Sequence, residues 1–97
     1  MRLVYSEEAI TDLVRLRQFI AEKDPGAASR IASELIARME HLCKFPHTGV
    51  EVELAPQPGV VRDMVFGNYI VRYAAQMEVI VILRIWHHLE NERNAAH

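Results

Sequence analysis

The chain has 97 residues, of which 51% are hydrophobic and 25% charged, and its formal net charge is −2. These values are typical of a single globular domain, 1–97, that builds its own core. Up to residue 50 there are seven basic and seven acidic residues, and beyond it four and six, which add up to the 11 and 13 of the whole chain. Neither half is a basic module. That counts against RNA or DNA as the primary ligand, because basic excess supplies most non-specific affinity for nucleic acids.

The sequence lacks the marks of several other protein classes. Its one cysteine, Cys43, lies in an apolar helical stretch and is interpreted as a small buried hydrophobe. No apolar run approaches the length of a membrane span, and the N-terminus has no signal-peptide pattern, so we expect a cytoplasmic protein with no membrane partner. There is no Gly-rich phosphate loop. His87 and His88 would point opposite ways in an extended segment, so we expect no metal and no cofactor.

The N-terminal half predicts a short strand followed by two helices. Arg2–Tyr5 is the strand, and Ser6 fits the N-cap of a first helix that ends in Glu22-Lys23. Asp24-Pro25 ends that helix and begins the next, because proline disfavours helical geometry in the residue before it but fits the first helical position. With so short a link, the two helices must run antiparallel as a hairpin, and the second ends at residues 45–49.

Apolar residues recur at helical spacing and define one buried side of this hairpin. They are Ala9, Leu13, Leu16 and Ile20 in the first helix and Ala28, Ile31, Leu35, Met39 and Leu42 in the second. The outer side carries arginines that we interpret as solvated, namely Arg15, Arg17, Arg30 and Arg38. The apolar side needs a partner layer.

Residues 60–90 supply that layer as three consecutive antiparallel strands. Gly67-Asn68 suits a two-residue hairpin turn, and this register places Asp63 opposite Arg72, an opposite-charge pair that supports it. Val79–Ile85 is apolar at six of seven positions and mostly β-branched, as expected of a central strand.

The fold class is therefore α+β, a two-layer sandwich of sheet and helical hairpin. A central last strand needs neighbours on both sides, so the first strand is expected to pair with it in parallel, with the helices as the crossover. Residues 50–59, with two prolines and a glycine, are a loop or a ragged edge strand. Residues 91–97 are polar and are expected to be disordered.

Each of the three C-terminal strands carries an arginine, and these are Arg62, Arg72 and Arg84. In a functional interpretation, guanidinium groups beside His87 hold a phosphodiester while the histidine moves a proton. In a structural one, Arg72 pairs with Asp63, Arg62 packs along its stem, and Arg84 meets a carboxylate such as Glu90. The structural interpretation is favoured for Arg72, and both stay open for the other two.

The length of the Ala75–Glu78 connection decides which face Arg84 occupies. An even connection places it with Arg62 and an odd one with Arg72, and the sequence does not settle which. Trp86, at the end of the last strand, either caps the core, which is the commoner outcome, or anchors a partner protein. The residues that we expect at a partner-binding surface are Arg72, Arg84, Trp86, His87 and His88.

Six short motifs occur in order along residues 4–90. They are Tyr5-Ser6-x-x-Ala9-x-x-Asp12-Leu13, Asp24-Pro25-x-x-Ala28, Leu42-x-x-Phe45-Pro46-x-x-Gly49, Val61-Arg62, Gly67-Asn68-Tyr69-x-x-x-Tyr73 and Ile82-Leu83-Arg84-Ile85-Trp86-His87. Together they closely resemble the RelE/ParE family of toxins from bacterial type II toxin–antitoxin systems. The resemblance implies the fold derived above, a co-expressed antitoxin that neutralises the protein by wrapping it, and growth arrest when the antitoxin is lost.

The same resemblance divides by target. RelE-like members are mRNA endonucleases that work in the ribosomal A site, whereas ParE-like members inhibit DNA gyrase and lack the nuclease residues. RelE-type enzymes have an arginine directly after the tyrosine of the third strand and a basic residue past the last strand. Here Ile70 follows Tyr69, and Leu89 stands where arginine is expected. Two guanidinium groups that would stabilise a phosphate are thus missing.

These features favour a ParE-like toxin that binds DNA gyrase, performs no bond-making chemistry and is neutralised by a cognate antitoxin added to an open sheet edge. The alternative is a ribosome-dependent mRNA interferase acting on ribosome-bound mRNA, with Arg62, Arg84, His87 and Glu90 as catalytic candidates. A third interpretation is a family member that only binds an antitoxin and regulates transcription with it.

Overall fold

A computed structural model describes residues 1–52 and 59–90, and in this part of the chain two helices pack on one face of a mixed sheet. The elements are β1 (Arg2–Tyr5), α1 (Glu7–Lys23), α2 (Pro25–His41), β2 (Val50–Glu51), β3 (Val61–Phe66), β4 (Tyr69–Gln76) and β5 (Val79–His87). The strand order is β1-β5-β4-β3-β2. The predicted α+β sandwich is confirmed. Residues 53–58 of the predicted loop and the predicted disordered tail, 91–97, lie outside the described residues.

The helices begin and end where their capping residues dictate. Ser6 accepts a hydrogen bond from the backbone N–H of Ala9 at 3.0 Å, which satisfies one free amide of the first turn. Asp24 serves both helices, since its own N–H donates to Ile20 O at 2.8 Å and its carboxylate accepts from Ala27 N at 3.1 Å. One residue therefore separates α1 from α2, and the antiparallel hairpin is confirmed.

Strand pairing follows the prediction at both edges of β5. β1 runs parallel to β5, with Arg2 opposite Val79. β3 and β4 form the hairpin with Phe66 opposite Tyr69, and the same register places Asp63 opposite Arg72. The two-residue strand β2 pairs with β3, and Val52 N–H donates to Val61 O at 3.0 Å, so the first part of the predicted ragged edge does pair with the sheet.

A β-bulge in the β4–β5 pair changes the face of Arg84. The connecting turn is Met77-Glu78, an even length that by itself would place Arg84 with Arg62. The register shifts by one residue of β5 between Arg72 and Tyr73, so that Arg84 comes to lie opposite Arg72. Parity counting misses this because a bulge inserts one unpaired residue into a ladder.

The core lies between the helical hairpin and the facing side of the sheet. The largest fully buried apolar side chains come from both layers and are Leu16, Leu35, Met39, Leu42, Val71, Tyr73, Ile80, Ile82 and Ile85. The predicted helical stripe is thus confirmed, with Leu13, Ile20 and Ile31 packed at its margin. Within the described residues, neither helix is both long and apolar enough to cross a membrane.

A buried tyrosine ties the segment after α2 to the sheet. The Tyr73 hydroxyl donates to Pro46 O at 2.7 Å and accepts from Gly49 N–H at 2.9 Å. A Cβ on Gly49 would lie 2.8 Å from Asp63 O, closer than real side chains approach a backbone oxygen, so only glycine fits there.

Candidate functional site

At the far end of β5, side chains of α1 cover the edge of the strand. β1 accompanies β5 only as far as the Tyr5–Ile82 pair, so none of the described strands lies beside Ile85 on that edge. Instead Ile85 N–H donates to the Asp12 carboxylate at 2.8 Å, and Ile85 O accepts from the Arg15 guanidinium at 3.1 Å. Two α1 side chains thus satisfy the polar groups that a strand would otherwise pair.

Asp12 is the buried centre of this arrangement, with 1% of its surface exposed. Arg84 donates to both of its oxygens, at 2.8 and 3.2 Å, and Arg15 donates to one of them as well. Burial alone would raise the pKa of the Asp12 carboxyl, but the hydrogen bonds from Arg84, Ile85 N–H and Arg15 outweigh it and lower the pKa below 3.8. The carboxylate is therefore charged and fully paired.

Arg15 extends the charges to the residues that follow β5. Its Nε donates to Glu90 at 2.9 Å, and the other Glu90 oxygen accepts from His87 N–H at 2.9 Å. We call Asp12, Arg15, Arg84 and Glu90 the β5-end network. Arg84 does meet a carboxylate, as the structural interpretation expects, but that carboxylate is Asp12 and not Glu90, which binds Arg15.

His87 is held between the two layers at the end of β5. Its ring packs against Tyr69 at 5.0 Å, edge to face, and against Phe19 of α1 at 6.1 Å. Its Nδ1 accepts a hydrogen bond from Leu89 N–H at 3.0 Å, which requires that nitrogen to be unprotonated.

The electrostatic surroundings favour the neutral form of this histidine. Burial first, then the neighbouring His88 and Lys23, lower the pKa of His87 below 6.5, against the opposing effect of Glu90. At neutral pH the imidazole is therefore uncharged and accepts the Leu89 N–H.

The two adjacent histidines do not point apart as the sequence predicts. Their ring centroids are 5.0 Å from each other, because β5 ends at His87 and the chain turns at His88. Even so, no group of three or more His, Cys, Asp or Glu side chains able to hold a metal ion occurs among residues 1–52 and 59–90.

Arg62 lies apart from the β5-end network. It donates to Gly49 O at 2.9 Å and approaches Glu51 at 3.4 Å, both on the β2 side of the sheet. Two strand spacings, roughly 10 Å of backbone, separate β3 from β5. In the strand register, Arg62 lies opposite Tyr73 and Arg84 lies opposite Arg72. Tyr73 and Arg72 are neighbours on β4 and point to opposite faces of the sheet, so Arg62 and Arg84 belong to opposite faces as well. The structure does not bring the two candidate arginines together.

Arg72 and Trp86, on the neighbouring strands β4 and β5, pack against each other. Arg72 binds Asp63 through two hydrogen bonds of 2.8 and 3.0 Å, which confirms the predicted pair. Its guanidinium also lies over the Trp86 ring, 5.2 Å from the centroid. Trp86 is only 6% exposed, so its side chain is packed within this chain and does not protrude as an anchor.

Sequence reasoning misses the parts played by Asp12 and Arg15. The side chain of Arg15 is 38% exposed but not simply solvated, since its guanidinium binds three partners. A signal for Asp12 is its position, three residues after Ala9 and four before Leu16, both fully buried in α1. A carboxylate at such a stripe position must be paired if the helix packs as predicted.

Known proteins similar to this chain belong to toxin–antitoxin systems. The family described as "ParE toxin of type II toxin-antitoxin system, parDE" matches residues 3–92. Among curated relatives, "Toxin RelE1" of Caulobacter vibrioides is 32% identical over 90 residues, 91% of this chain and 94% of that protein. "Toxin RelE2" of the same organism is 30% identical, covering 89% of this chain and 93% of that protein.

A solved structure supports the fold independently. It is described as "Chromosomal ParDE TA system from P. aeruginosa" and superposes with a TM-score of 0.75 at 19% identity, covering 90% of this chain and 95% of that one. With the order of strands and helices described above, and the family match over nearly the whole length, the chain belongs to the RelE/ParE family and is the toxin of a type II toxin–antitoxin system, whose partner is an antitoxin.

Proposed function

We propose that this toxin arrests growth by binding DNA gyrase, without catalytic chemistry of its own. The observation that carries the proposal is that the four candidate nuclease side chains are already bonded within the fold. Those side chains are Arg62, Arg84, His87 and Glu90.

Asp12 binds two of the five N–H donors of Arg84, so turning the whole guanidinium toward a phosphate would mean leaving Asp12. The carboxylate is almost wholly buried, and its other stabilising contacts are Arg15 and a backbone amide. Breaking a buried ion pair so that one charge stays unpaired costs roughly 3–5 kcal/mol. A guanidinium tied in this way serves to hold α1 on β5.

One ring nitrogen of His87, Nδ1, and both oxygens of Glu90 are likewise occupied. One imidazole nitrogen accepts a backbone amide, and both Glu90 oxygens accept hydrogen bonds from the protein. General acid–base catalysis needs a side chain that reaches the reacting group with a suitable proton. Arg62, which would have to complete the site, lies two strands away on the β2 side.

The choice of gyrase rests on the ParE-like side of the resemblance. The charge of −2 offers no general attraction for mRNA or the ribosome. Ile70 and Leu89 occupy the two positions where a RelE-type enzyme is expected to carry cationic side chains. A protein surface is a better-matched target than a phosphodiester for such a chain.

The test is a pair of assays on the purified toxin freed of its antitoxin. We expect loss of gyrase-driven DNA supercoiling, with translation and ribosome-bound mRNA left intact, and restoration of supercoiling when the antitoxin is added. Cleavage of mRNA on translating ribosomes, with supercoiling unaffected, would overturn the proposal in favour of the interferase. Inhibition of neither process, with no growth arrest in cells, would favour a purely regulatory role.

A further inference from the structure

We propose that a basic, extended segment of the antitoxin lengthens the sheet by pairing with the outer edge of β1, at Leu3 and Tyr5. This contact is separate from the gyrase interface of the proposed function, and it is expected whichever target the toxin has. The backbone groups that the described strands leave unpaired at the margins of the sheet point to it.

The first strand, β1, lies at the margin of the sheet and pairs only with β5 among the described strands. The N–H groups of Arg2 and Ser6 both donate to carbonyl groups on the β5 side, at 2.9 and 3.0 Å. Residues that alternate with these two direct their N–H and C=O groups to the other side of the strand. Leu3 and Tyr5 therefore present four backbone groups at the outer edge, and no described residue bonds them.

The end of β5 that extends beyond β1 is closed to an added strand. Its outward backbone groups belong to Leu83, Ile85 and His87, and each residue is already bonded within the chain. The side chains that bond them are those of Ser6, Asp12, Arg15 and Glu90. A strand arriving there would have to displace these four side chains.

The opposite margin of the sheet, β3, is mostly occupied as well. Val61 O accepts from Val52 N–H at 3.0 Å, and Asp63 lies opposite Val50 of β2. The same alternation leaves Val65 as the one residue of β3 with outward groups that no described residue pairs. The edge of β1 thus offers twice as many backbone groups to an added strand as the edge of β3.

The surroundings of β1 are acidic. Exposed Glu78 lies at the beginning of the strand, where its carbonyl oxygen accepts the first N–H of β1. Exposed Glu7 and Glu8 follow the strand in the first turn of α1. Burial first, then the charge of Glu40, raise the pKa of the Tyr5 hydroxyl, so a fourth carboxylate lies near the strand.

These carboxylates favour a basic partner over a second copy of the toxin. Two toxin chains paired through β1 would bring their carboxylates together, and like charges across a strand pair are destabilising. A segment with Lys or Arg would instead be attracted, since Arg2 is the one cationic side chain on the strand itself.

The antitoxin is the partner able to supply such a segment. A folded enzyme has already paired most of its strands, whereas a partner segment that becomes ordered on binding brings unpaired backbone groups with it. The family of this chain provides an antitoxin as that partner. We therefore assign the β1 edge to the antitoxin.

Hydrogen exchange measured by NMR on the free toxin and on its antitoxin complex tests the pairing directly. In the free toxin, Leu3 and Tyr5 amides should exchange fast, because they face outward. In the complex their exchange should slow by at least about tenfold, with Val65 unchanged.

Proline variants test whether the backbone group itself is used. Leu3→Pro removes one outward N–H and spares the bonds to β5, as proline does on an edge strand. Leu3→Ala is the matched control, since it loses the leucine side chain but keeps the N–H, and Val65→Pro makes the same change at the β3 edge. We expect antitoxin affinity to fall about tenfold or more from Leu3→Ala to Leu3→Pro and to stay at the wild-type value in Val65→Pro.

Several results would overturn the assignment. They are exchange at Leu3 and Tyr5 that the antitoxin leaves unchanged, slowing at Val65 in their place, and equal affinities of the two Leu3 variants. Slowing at Leu3 with rising toxin concentration, without antitoxin, would assign the edge to a second copy. None of these measurements involves gyrase, so the gyrase proposal and this inference can fail separately.

A charge variant tests the basic character of the segment. Glu78→Gln removes one carboxylate beside β1, and Glu22→Gln, near the far end of α1, is its control. Antitoxin affinity should fall about threefold at low salt for Glu78→Gln alone, and the difference should shrink at high salt. Equal affinities of the two variants at low salt would show that the partner segment is not basic at this position.

Discussion

Two carboxylate–arginine pairs in this toxin look alike in the sequence but differ in what they hold together. Asp63 and Arg72 are nine residues apart, face each other across the β3–β4 hairpin, and have side chains 26% and 28% exposed. Asp12 and Arg84 are 72 residues apart and join α1 to β5, and the Asp12 side chain is 2% exposed. The Asp63–Arg72 pair lies on a hairpin that backbone hydrogen bonds already hold together, whereas the Asp12–Arg84 pair joins the helical layer to the sheet.

The difference between the pairs should appear in their energies. A partly exposed ion pair is screened by water and contributes about 0–1 kcal/mol. Removing a buried carboxylate takes a charged partner from the arginines that bind it and the acceptor from a buried amide, which is costly in a medium of low polarity. The same two residue types can thus be nearly neutral in one place and decisive in another.

The largest effect is expected for Asp12→Ala. It removes the buried carboxylate that Arg84 and Arg15 both bind and leaves Ile85 N–H without its acceptor, so the free energy of unfolding should fall by about 3–5 kcal/mol. Urea unfolding followed by circular dichroism measures it. In the double variant Asp12→Ala/Arg84→Met, part of the lost stability should be recovered. A loss below about 1 kcal/mol for Asp12→Ala alone would contradict the proposed difference between the buried pair and the partly exposed one.

A smaller loss is expected for Tyr73→Phe, which removes another buried tie between distant segments. The hydroxyl bridges Gly49 N–H and Pro46 O, and without it both backbone groups lose their partner. The free energy of unfolding should fall by about 1–3 kcal/mol. Hydrogen exchange at Gly49 N–H provides the local readout, and unchanged protection there would contradict the assignment.

Asp63→Asn is the direct comparison with Asp12. It keeps the shape of the side chain and removes the charge that faces Arg72. Because the pair is partly exposed, we expect a loss of no more than about 1 kcal/mol, smaller still at high salt. A loss as large as that of Asp12→Ala would show that the two pairs are equivalent.

The smallest effect is expected from titration of His87. Its pKa is lowered below 6.5 in the folded protein, so as the pH falls the unfolded chain takes up a proton before the folded protein does. The stabilisation is complete above pH 6.5 and is lost as the pH falls through the folded pKa, together with the bond from Leu89 N–H. Thermal unfolding between pH 7.5 and 5 measures it, and in a His87→Asn variant this part of the pH dependence should vanish.

The hairpin and the core stripe could be predicted because each depends on residues close in sequence or on a repeating pattern. The Asp24-Pro25 boundary and the Asp63–Arg72 register are of this kind. The parallel first strand could be predicted because the apolar last strand needs a neighbour on each side. The partner of Arg84 could not be predicted, since it depends on a bulge and on which side of α1 meets β5. The bulge leaves no local pattern in the chain, and the apolar stripe of α1 shows which side is buried but not which residues of β5 lie opposite Asp12.

The candidate site was predictable in place but not in role. The arginine and the histidines at the end of β5 identify it in the sequence, and the structure does gather polar groups there. The role of those groups depends on Asp12 and Arg15, which lie about 70 residues earlier in the chain. Without knowledge of the bonds that Asp12 and Arg15 make, Arg84 and His87 look like catalytic residues.

The most direct test of a toxin without chemistry is the growth arrest caused by His87→Asn. From the sequence alone alanine is the natural choice, but alanine would remove the acceptor of Leu89 N–H, whereas the asparagine oxygen can keep that bond and cannot shuttle a proton at neutral pH. We predict arrest equal to wild type at matched toxin level and full rescue by the antitoxin. Loss of arrest in a variant that still folds and still binds the antitoxin would contradict the account and assign a catalytic role to His87.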